Sequence, residues 1–530
     1  MAGVCGPGGF AAASSLGKGR SKDFGPRIGF AWDVFGDGKT SLRGGFGISF
    51  EGTLYNPLSN SRWNLPYYSF NLGDNYLNGD PSQIVVYGPY PGTGQTFCPD
   101  CPATPTYTGG PSNIGQGTGA QGHGNLVGWY PGNSNTAYLT GIIQPQGVSD
   151  PYIYNTYLSI QREVASKLVL EADYVGTVGH KLFRSENLNA LPGGRLPLGA
   201  CVTDNFGRQV CGQNDTNLAD GTPNPNPVNP LGRLNPNYGT MREWQNDVNS
   251  SYNALQFTAK KQMSHGLLLN ANYTWAHSID NGSGWHNSAT GANGAAAGDG
   301  YSTDQTIPGL DRGNSIFDIR HRMVVNYVYQ IPGPQHGFLG EVLGGWQYSG
   351  IWAFQSGAHW EPFISKPASL SGTNPLDGSC TPADVAGGAC VNLGGDYNLN
   401  QIADDRPNST LSRYDGSSRA GWAGGWSAIG LDRKTIFSSP CLGCSGNLGR
   451  NTFVGPGQWY ADMTVGKTFK ITERFNLNFQ AQGFNVFNRA NFILATADSP
   501  AHNKITDGAF GTASGTLNQR ELQFGVKLSF

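Results

Sequence analysis

Eight of the nine cysteines fall into four local pairs, the strongest chemical signal in the chain. The pairs are Cys98 with Cys101, Cys201 with Cys211, Cys380 with Cys390 and Cys441 with Cys444, and Cys5 is left over. Paired cysteines in an exported protein predict disulfides, each of which closes one local loop. The first and last pairs are C-x-x-C sequences, which allow the alternative of a zinc site with four thiolates. We expect disulfides, because these two pairs are far apart in sequence and exported thiols oxidise.

A second candidate site is an acidic segment with the ligand order of a calcium loop. Asp396, Asn398, Asn400 and Asp404 offer side-chain oxygens at roughly the first, third, fifth and ninth positions. The segment departs from that pattern, with Gln401 where glycine is expected and Pro407 where the bidentate glutamate belongs. The alternative is a solvated turn in which Asx side chains bind nearby backbone groups. No other metal or cofactor is predicted.

One charged group has residue types that suit acid–base catalysis. His321 lies between Arg320 and Arg322 and close to Asp318. The simpler interpretation is a charge cluster at a strand end, near the boundary of a membrane. The sequence has no Gly-x-Ser-x-Gly elbow, His-Glu-x-x-His helix or phosphate-binding loop. We therefore predict that the protein is not an enzyme.

A period-two alternation of apolar and polar residues predicts the elements that carry these side chains. It is clearest in the last strand, where the apolar positions are Leu522, Phe524, Val526, Leu528 and Phe530. Such a strand has one apolar and one wet face. A soluble domain rarely ends on a bare edge strand with a terminal aromatic residue. This ending is typical of an outer-membrane barrel.

The same alternation recurs in five hairpins and predicts about 12 strands in total. The hairpins pair residues 27–35 with 40–50, 154–163 with 168–181, 251–262 with 267–278, 323–331 with 346–354, and 459–469 with 475–487. Long stretches rich in Gly, Asn, Pro and Ser separate them, at roughly 51–150, 183–250, 281–317, 358–457 and 489–518. Short periplasmic turns and long extracellular loops are the layout of an outer-membrane barrel. The four cysteine pairs and the acidic segment are then predicted to lie outside the cell.

Composition favours the same class, an all-β antiparallel transmembrane β-barrel with long extracellular loops. Charged residues make up 13% of the chain, about half the usual share in soluble proteins. The chain lacks a run of roughly eighteen apolar residues, so only a barrel could cross a bilayer. The net charge of -2 argues against a nucleic-acid partner. A secreted sandwich or propeller is the alternative, but its strands would carry many charged residues on their outward face.

Residues 1–23 form a doubtful or disordered N-terminal stretch, and residues 24–530 form the predicted barrel segment. Residues 1–20 have neither the basic nor the apolar region of a signal peptide. We therefore expect a fragment or a mispredicted start. Aromatic residues of the long loops, such as Trp422 and Trp426, could stack on sugars or peptides, but we expect them to pack within the loops or to mark an aromatic girdle.

Several blocks resemble the Oar-like β-barrel of TonB-dependent outer-membrane transporters, in the group that carries a carboxypeptidase-regulatory-like domain. The matching blocks are residues 24–32, 42–47, 172–176, 273–278, 311–313, 317–322, 345–347, 355–357, 450–451, 484–488 and the terminal strand. They cover nearly the whole chain outside the long loops.

The resemblance implies a barrel of about 22 strands around a plug, of which this chain would be the C-terminal portion without the plug and N-terminal domains. It implies energised uptake of an unidentified substrate across the outer membrane of a Gram-negative bacterium. The expected partners are outer-membrane lipid, the barrel-assembly machinery through the C-terminal strand and, in the full-length protein only, the TonB complex. The alternatives are a surface-exposed structural or adhesion barrel and a passive porin.

Overall fold

The computed structural model describes residues 4–5, 10–11, 23–51, 139–143, 149–187, 201–211, 238–283, 302–305, 307–334, 336–364, 396–400, 405–494, 503, 505, 508–517 and 519–530. Every structural statement below concerns these residues.

Eleven long strands form one antiparallel sheet in which strands adjacent in sequence are adjacent in space. They are β1 (Arg27–Asp33), β2 (Thr40–Phe50), β3 (Tyr152–Ala165), β4 (Leu168–Asn187), β5 (Tyr238–Ser264), β6 (Leu267–Asp280), β7 (His321–Gln330), β8 (Trp346–Gln355), β9 (Gln458–Lys470), β10 (Asn476–Phe484) and β11 (Glu521–Ser529). This order confirms the predicted all-β antiparallel class. β1 and β11 do not pair with each other in the described structure, so the sheet is open.

Shorter strands add to this framework. Leu139–Ile143 pairs in parallel with β5, and Gly313–Asn314 pairs with β6. Val4–Cys5 and Phe10–Ala11 pair with each other within the predicted N-terminal stretch. Among the described residues, no helix has the length and apolar character needed to cross a membrane.

The alternation of apolar and polar residues in the sequence places them on two different faces of the sheet. Phe257 lies opposite Tyr273 across the β5–β6 ladder, and the next rung pairs Thr258 with Asn272. The Thr258 hydroxyl donates a hydrogen bond to Asn272 Oδ1 at 3.1 Å, whereas the Phe257 side chain is 47% exposed. We call the side that bears Phe257 and Tyr273 the apolar face, and the other side the polar face. Large exposed apolar side chains in register require a nonaqueous neighbour.

Tight turns close the hairpins at one end of the sheet, the turn end. Ser166 and Lys167 join β3 to β4, and His265 and Gly266 join β5 to β6. The φ angles of His265 and Gly266 are 50° and 76°, as in the type I′ turn that matches the twist of a hairpin. A Cβ atom on Gly266 would lie 2.9 Å from the Gln330 carbonyl oxygen. Glycine is therefore the residue that this turn accommodates without a shift.

The strands connect through much longer segments at the opposite end, the loop end. β4 and β5 reach further into this region than predicted, since their ladder still pairs Asn187 with Arg242. The predicted loop at 183–250 was therefore wrong at both ends. Alternation of apolar residues stops near these ends, but the backbone groups continue to pair. The extension carries charged side chains that bind the loops.

The connections that follow β8 and β10, residues 356–457 and 485–520, pack together at the loop end. We call their described residues the cap. The cap contains α2 (Arg419–Gly424), α3 (Arg433–Ile436) and the 3-10 turn Trp426–Ile429, whereas α1 (Gly337–Leu343) lies at the turn end. Its short strands pair as His359–Trp360 with Phe453–Val454, Asn408–Ser409 with Phe437–Ser438, and Phe492–Ile493 with Gly515–Thr516.

A hydrophobic core holds the cap together. Its buried members are Trp360, Ile364, Tyr397, Leu399, Trp422, Trp426, Ile436, Phe437, Leu448, Phe453, Ile505 and Phe510. Trp422 and Trp426 are each 3% exposed, so they pack within the loops, as one of the sequence interpretations predicted. The polar composition of these stretches did not indicate that they form a folded unit.

Candidate functional site

A buried network of charged side chains joins the cap to the sheet, and we call it the junction network. Its members are Arg184, Glu186, Asp247, Asp280, Asp311, Glu361, Arg406 and Arg450. The first four lie on β4, β5 and β6, in or near the strand extensions, and the last four lie in the long connections. Sheet and loops therefore meet here through buried charged side chains.

Asp311 is the centre of the network, because it binds an arginine from each side. It ends the 3-10 turn Pro308–Asp311 and accepts a hydrogen bond from Arg406 Nη1 at 3.0 Å. Its other oxygen lies 3.7 Å from Nη1 of Arg184. The backbone N–H and the hydroxyl of Thr303 also donate to this carboxylate, at 2.8 Å and 2.5 Å. A buried carboxylate with this many donors couples β4 directly to the cap.

Arg450 makes the second connection between cap and sheet. Its guanidinium pairs with the Asp280 carboxylate at the end of β6 and donates to Ser283 Oγ at 2.7 Å. The hydroxyl of Ser315 donates to the same carboxylate at 2.5 Å. Arg450 and Asp280 are each 1% exposed, so water screens this pair very little.

Asp318 forms an adjoining group with His359 and Arg320. Its carboxylate lies 3.2 Å from Nε2 of His359 and 3.1 Å from Nη2 of Arg320, and it accepts the Ser278 N–H at 2.8 Å. Burial opposes ionisation, but the hydrogen bonds from His359 and Ser278, together with the charge of Arg320, lower the pKa of Asp318. Nδ1 of His359 lies 2.8 Å from the Asn451 carbonyl oxygen. The histidine thus bridges the loop before β7 to the cap.

Two glutamates in the junction network have strongly raised pKa values. Burial raises the pKa of Glu361 to about 7, against the opposing charges of Arg406 and Arg450. Burial likewise raises the pKa of Glu186 to about 7, against Arg184. Glu186 lies close to the end of β4, far beyond the 9–11 or so residues that a strand needs to cross a bilayer. The network holds five carboxylates and three guanidinium groups, so protonation of both glutamates balances its charge.

We predict that the cap loses stability as the pH rises from about 4.5 to 7. The pKa of Glu361 is about 7 in the folded protein and 4.5 ordinarily, so the folded state holds the extra proton in this window. The full shift corresponds to on the order of 3 kcal/mol. Thermal unfolding followed by tryptophan fluorescence, at pH 5 and pH 8, measures the loss. E361Q should reduce the slope and leave the contribution of Glu186, whereas E473Q, at an exposed turn residue, should leave the slope unchanged. An unaltered slope in E361Q would contradict the assignment.

The acidic segment at 396–400 lies against the junction network. The Nδ2 atoms of Asn398 and Asn400 donate to the Thr303 carbonyl oxygen at 2.7 Å and 2.9 Å. Asn398 Oδ1 accepts the Asn400 N–H at 3.0 Å, and Asp396 is fully buried. Asp404 lies outside the described residues. In the described part of the chain, no three His, Cys, Asp or Glu side chains cluster as metal ligands would, and calcium binding stays a prediction.

Two of the predicted cysteine pairs lie close together, one within the cap and one in a hairpin beside it. Cys201 is bonded to Cys211, which closes the hairpin of Cys201–Thr203 with Gln209–Cys211, and Cys441 is bonded to Cys444. Asn205, at the tip of the hairpin, exchanges two hydrogen bonds with Ser445, at 2.6 Å and 3.0 Å. The hairpin is thereby fastened to the cap.

The other two predicted pairs lie outside the described residues. They are Cys98 with Cys101 and Cys380 with Cys390. Both disulfides stay predictions. The zinc alternative joined Cys98 and Cys101 to the pair of Cys441 and Cys444, and since these last two cysteines are bonded to each other, they are not free thiolates that could bind zinc.

The family model described as an outer membrane beta barrel domain matches residues 2–523. The chain belongs to this family. It is therefore a protein of the outer membrane of a Gram-negative bacterium, and its sheet is an outer-membrane β-barrel sheet. No curated protein matches the sequence.

Solved outer-membrane transporters are among the similar structures. They include the transporter YddB of Escherichia coli (10% identity, TM-score 0.41, covering 95% of this chain and 40% of that one). The FrpB iron transporter of Neisseria meningitidis has 10% identity and a TM-score of 0.35, and covers 95% of this chain and 39% of that one. The siderophore receptor PirA of Acinetobacter baumannii has 9% identity and a TM-score of 0.35, and covers 96% and 41%. The chain thus spans about 40% of the length of each of these structures.

Membership of this barrel family orients the molecule. The turn end faces the periplasm and the loop end faces the medium, because short turns are periplasmic and long loops extracellular in such barrels. The cap and the junction network accordingly lie on the extracellular side.

The C-terminal signature lies on the apolar face of an edge strand. Leu522, Phe524, Val526 and Leu528 pair in register with apolar or small residues of β10, and Phe530 is 92% exposed. Every residue of β11 is exposed. Recognition by the barrel-assembly machinery stays a prediction that this exposure permits.

The residues considered for acid–base chemistry are not grouped around one point. His321 lies on the apolar face, where Nδ1 is 2.8 Å from the Tyr273 hydroxyl. Asp318 instead binds Arg320 and His359.

Sequence reasoning missed most of the junction network, because its pairs join residues far apart in the chain. Asp311 and Arg450 were visible only as members of the family-like blocks, whereas Asp318 and Arg320 were also noted beside His321 as a charged group.

Proposed function

We propose that this chain is the C-terminal barrel portion of an Oar-like TonB-dependent transporter that takes up an unidentified substrate. The proposal rests on one observation, which is that residues from different family-like blocks come together in the structure. Asp311, Asp318 and Arg450 come from three such blocks, and all three are buried where cap and sheet join. If these blocks served only to form the barrel strands, their residues would not be expected to meet below the extracellular loops.

In this proposal the chain performs no bond chemistry. The apolar face holds the barrel in lipid, the polar face borders the lumen, and the cap covers the extracellular entrance. The junction network sets how firmly the cap is held. In the complete protein, a plug coupled to the TonB complex would supply the energised step.

Comparison of two deletion strains of the native host tests the proposal. One strain lacks the protein and the other lacks TonB, and mass spectrometry follows the depletion of solutes from the medium. Every solute whose uptake is lost without the protein should also be lost without TonB. Uptake that continues without TonB would indicate a passive porin, and normal uptake with altered surface attachment would indicate an adhesion barrel. Either result would overturn the transporter assignment.

A further inference from the structure

A cavity of about 420 Å³ opens on the apolar face of the sheet, where β7, β8 and β9 reach the cap. Its lower wall is apolar, since Met323 faces Phe354 and Phe354 faces Trp459 across adjacent ladders. Its upper rim belongs to the cap and carries Arg419, from α2, and Arg489. The cavity therefore changes from apolar to cationic along the membrane normal.

The two arginines are held side by side by contacts that do not neutralise them. The Arg489 guanidinium lies 4.9 Å from the centre of the Trp459 ring, and that of Arg419 lies 5.0 Å from the centre of the Phe492 ring. Nη1 of Arg419 also donates to the carbonyl oxygen of Ala490 at 3.0 Å. Within the described part of the chain, neither arginine forms an ion pair with a carboxylate.

Without an anion nearby, the positive charges of Arg419 and Arg489 are energetically unfavourable. Nε of Arg489 is shielded from solvent and has no hydrogen-bond partner among the described residues. Burial and the charge of Arg419 lower the pKa of Arg489. Asp415, the carboxylate nearest to Arg419 in sequence, accepts hydrogen bonds from Ser417 instead. An anion between the two guanidinium groups would relieve the repulsion and supply the missing acceptor.

We propose that this cavity binds the phosphate headgroup of a phosphorylated outer-leaflet lipid, with an acyl chain along its apolar wall. Arginine pairs suit phosphate because their fixed N–H groups match its oxygens. The height is that of the membrane interface, since Trp352, Trp459 and Phe487 stack just below the rim, as in the aromatic girdles of such barrels. A soluble anion would make no favourable contact with the apolar wall. The proposal depends on the outer-membrane location and not on transport.

Native mass spectrometry of the full protein, purified in detergent, tests the site. The probes are bisphosphorylated lipid A, dephosphorylated lipid A and inorganic phosphate. The wild-type protein should prefer the phosphorylated lipid, and R419Q/R489Q should bind it at least about tenfold more weakly. R419K/R489K should retain part of the preference. R474Q, which removes an exposed arginine from the periplasmic turn, should behave as wild type.

Three outcomes would overturn the proposal. They are an unchanged lipid preference in R419Q/R489Q, equal binding of dephosphorylated lipid A, and displacement of the lipid by inorganic phosphate at equal phosphate concentration. Heat-modifiable gel migration of each variant shows whether the barrel has folded, which separates a lost site from a lost structure. The outcome of the uptake test above does not affect the lipid-binding test. The outcome of the lipid-binding test likewise does not affect the uptake test.

Discussion

R450A is expected to destabilise the cap by about 3–5 kcal/mol, because it leaves the buried Asp280 carboxylate without its cation. Asp280 is 1% exposed and keeps the hydroxyl donors Ser283 and Ser315 among the described residues. Hydrogen exchange of cap peptides, on the protein purified in detergent, measures the change as faster exchange across the whole cap.

Two further variants test whether the effect of R450A comes from the loss of charge pairing. R450M/D280N removes both charges and should lose less stability than R450A, since no buried charge remains unpaired. K260A breaks an exposed pair with Glu171, in which the lysine side chain is 54% exposed, and should cost less than about 1 kcal/mol. A cap that exchanges equally fast in R450A and R450M/D280N would show that charge pairing is not what holds it.

F453A is expected to cost about 3–5 kcal/mol by opening a void in the cap core. Phe453 has no exposed surface, and its ring centre lies 5.4 Å from that of Trp360 and 5.9 Å from that of Trp426. Chemical unfolding followed by tryptophan fluorescence should report the loss directly, because two of its neighbours are tryptophans.

The matched control replaces a phenylalanine that packs against little. F317A lies in the loop before β7, where the side chain is 60% exposed, and should change the unfolding free energy by no more than about 0.5 kcal/mol. Equal effects of F453A and F317A would mean that the cap core does not contribute to the measured transition.

The strands could be predicted from the sequence because their information is local. Alternation along about ten residues is enough to define a face, so residues such as Phe524 and Val526 can be assigned to one side of the sheet without knowledge of any contact. The end of β4 was missed for the same reason. Arg184 and Glu186 do not alternate with apolar residues, and only the ladder with β5 keeps that segment extended.

The cap and the junction network could not be predicted, since their contacts join distant parts of the chain. Arg450 and Asp280 are 170 positions apart, and Arg406 and Asp311 are 95 apart. No period in the sequence relates such pairs. The one available sign was the high density of aromatic residues in stretches that otherwise read as polar loops. The pairing of Cys201 with Cys211 was easier to predict, because both partners lie in one short hairpin.

The shared core of the cap limits how its two connections can move. Trp360, Phe453 and Phe437 come from the connection after β8, and Phe510 comes from the connection after β10, yet they pack in one cluster. Neither connection can swing away alone without exposing the aromatic rings of the other. In the proposed transporter, the two connections should therefore move together as one unit, and the extracellular entrance should not open by movement of one connection alone.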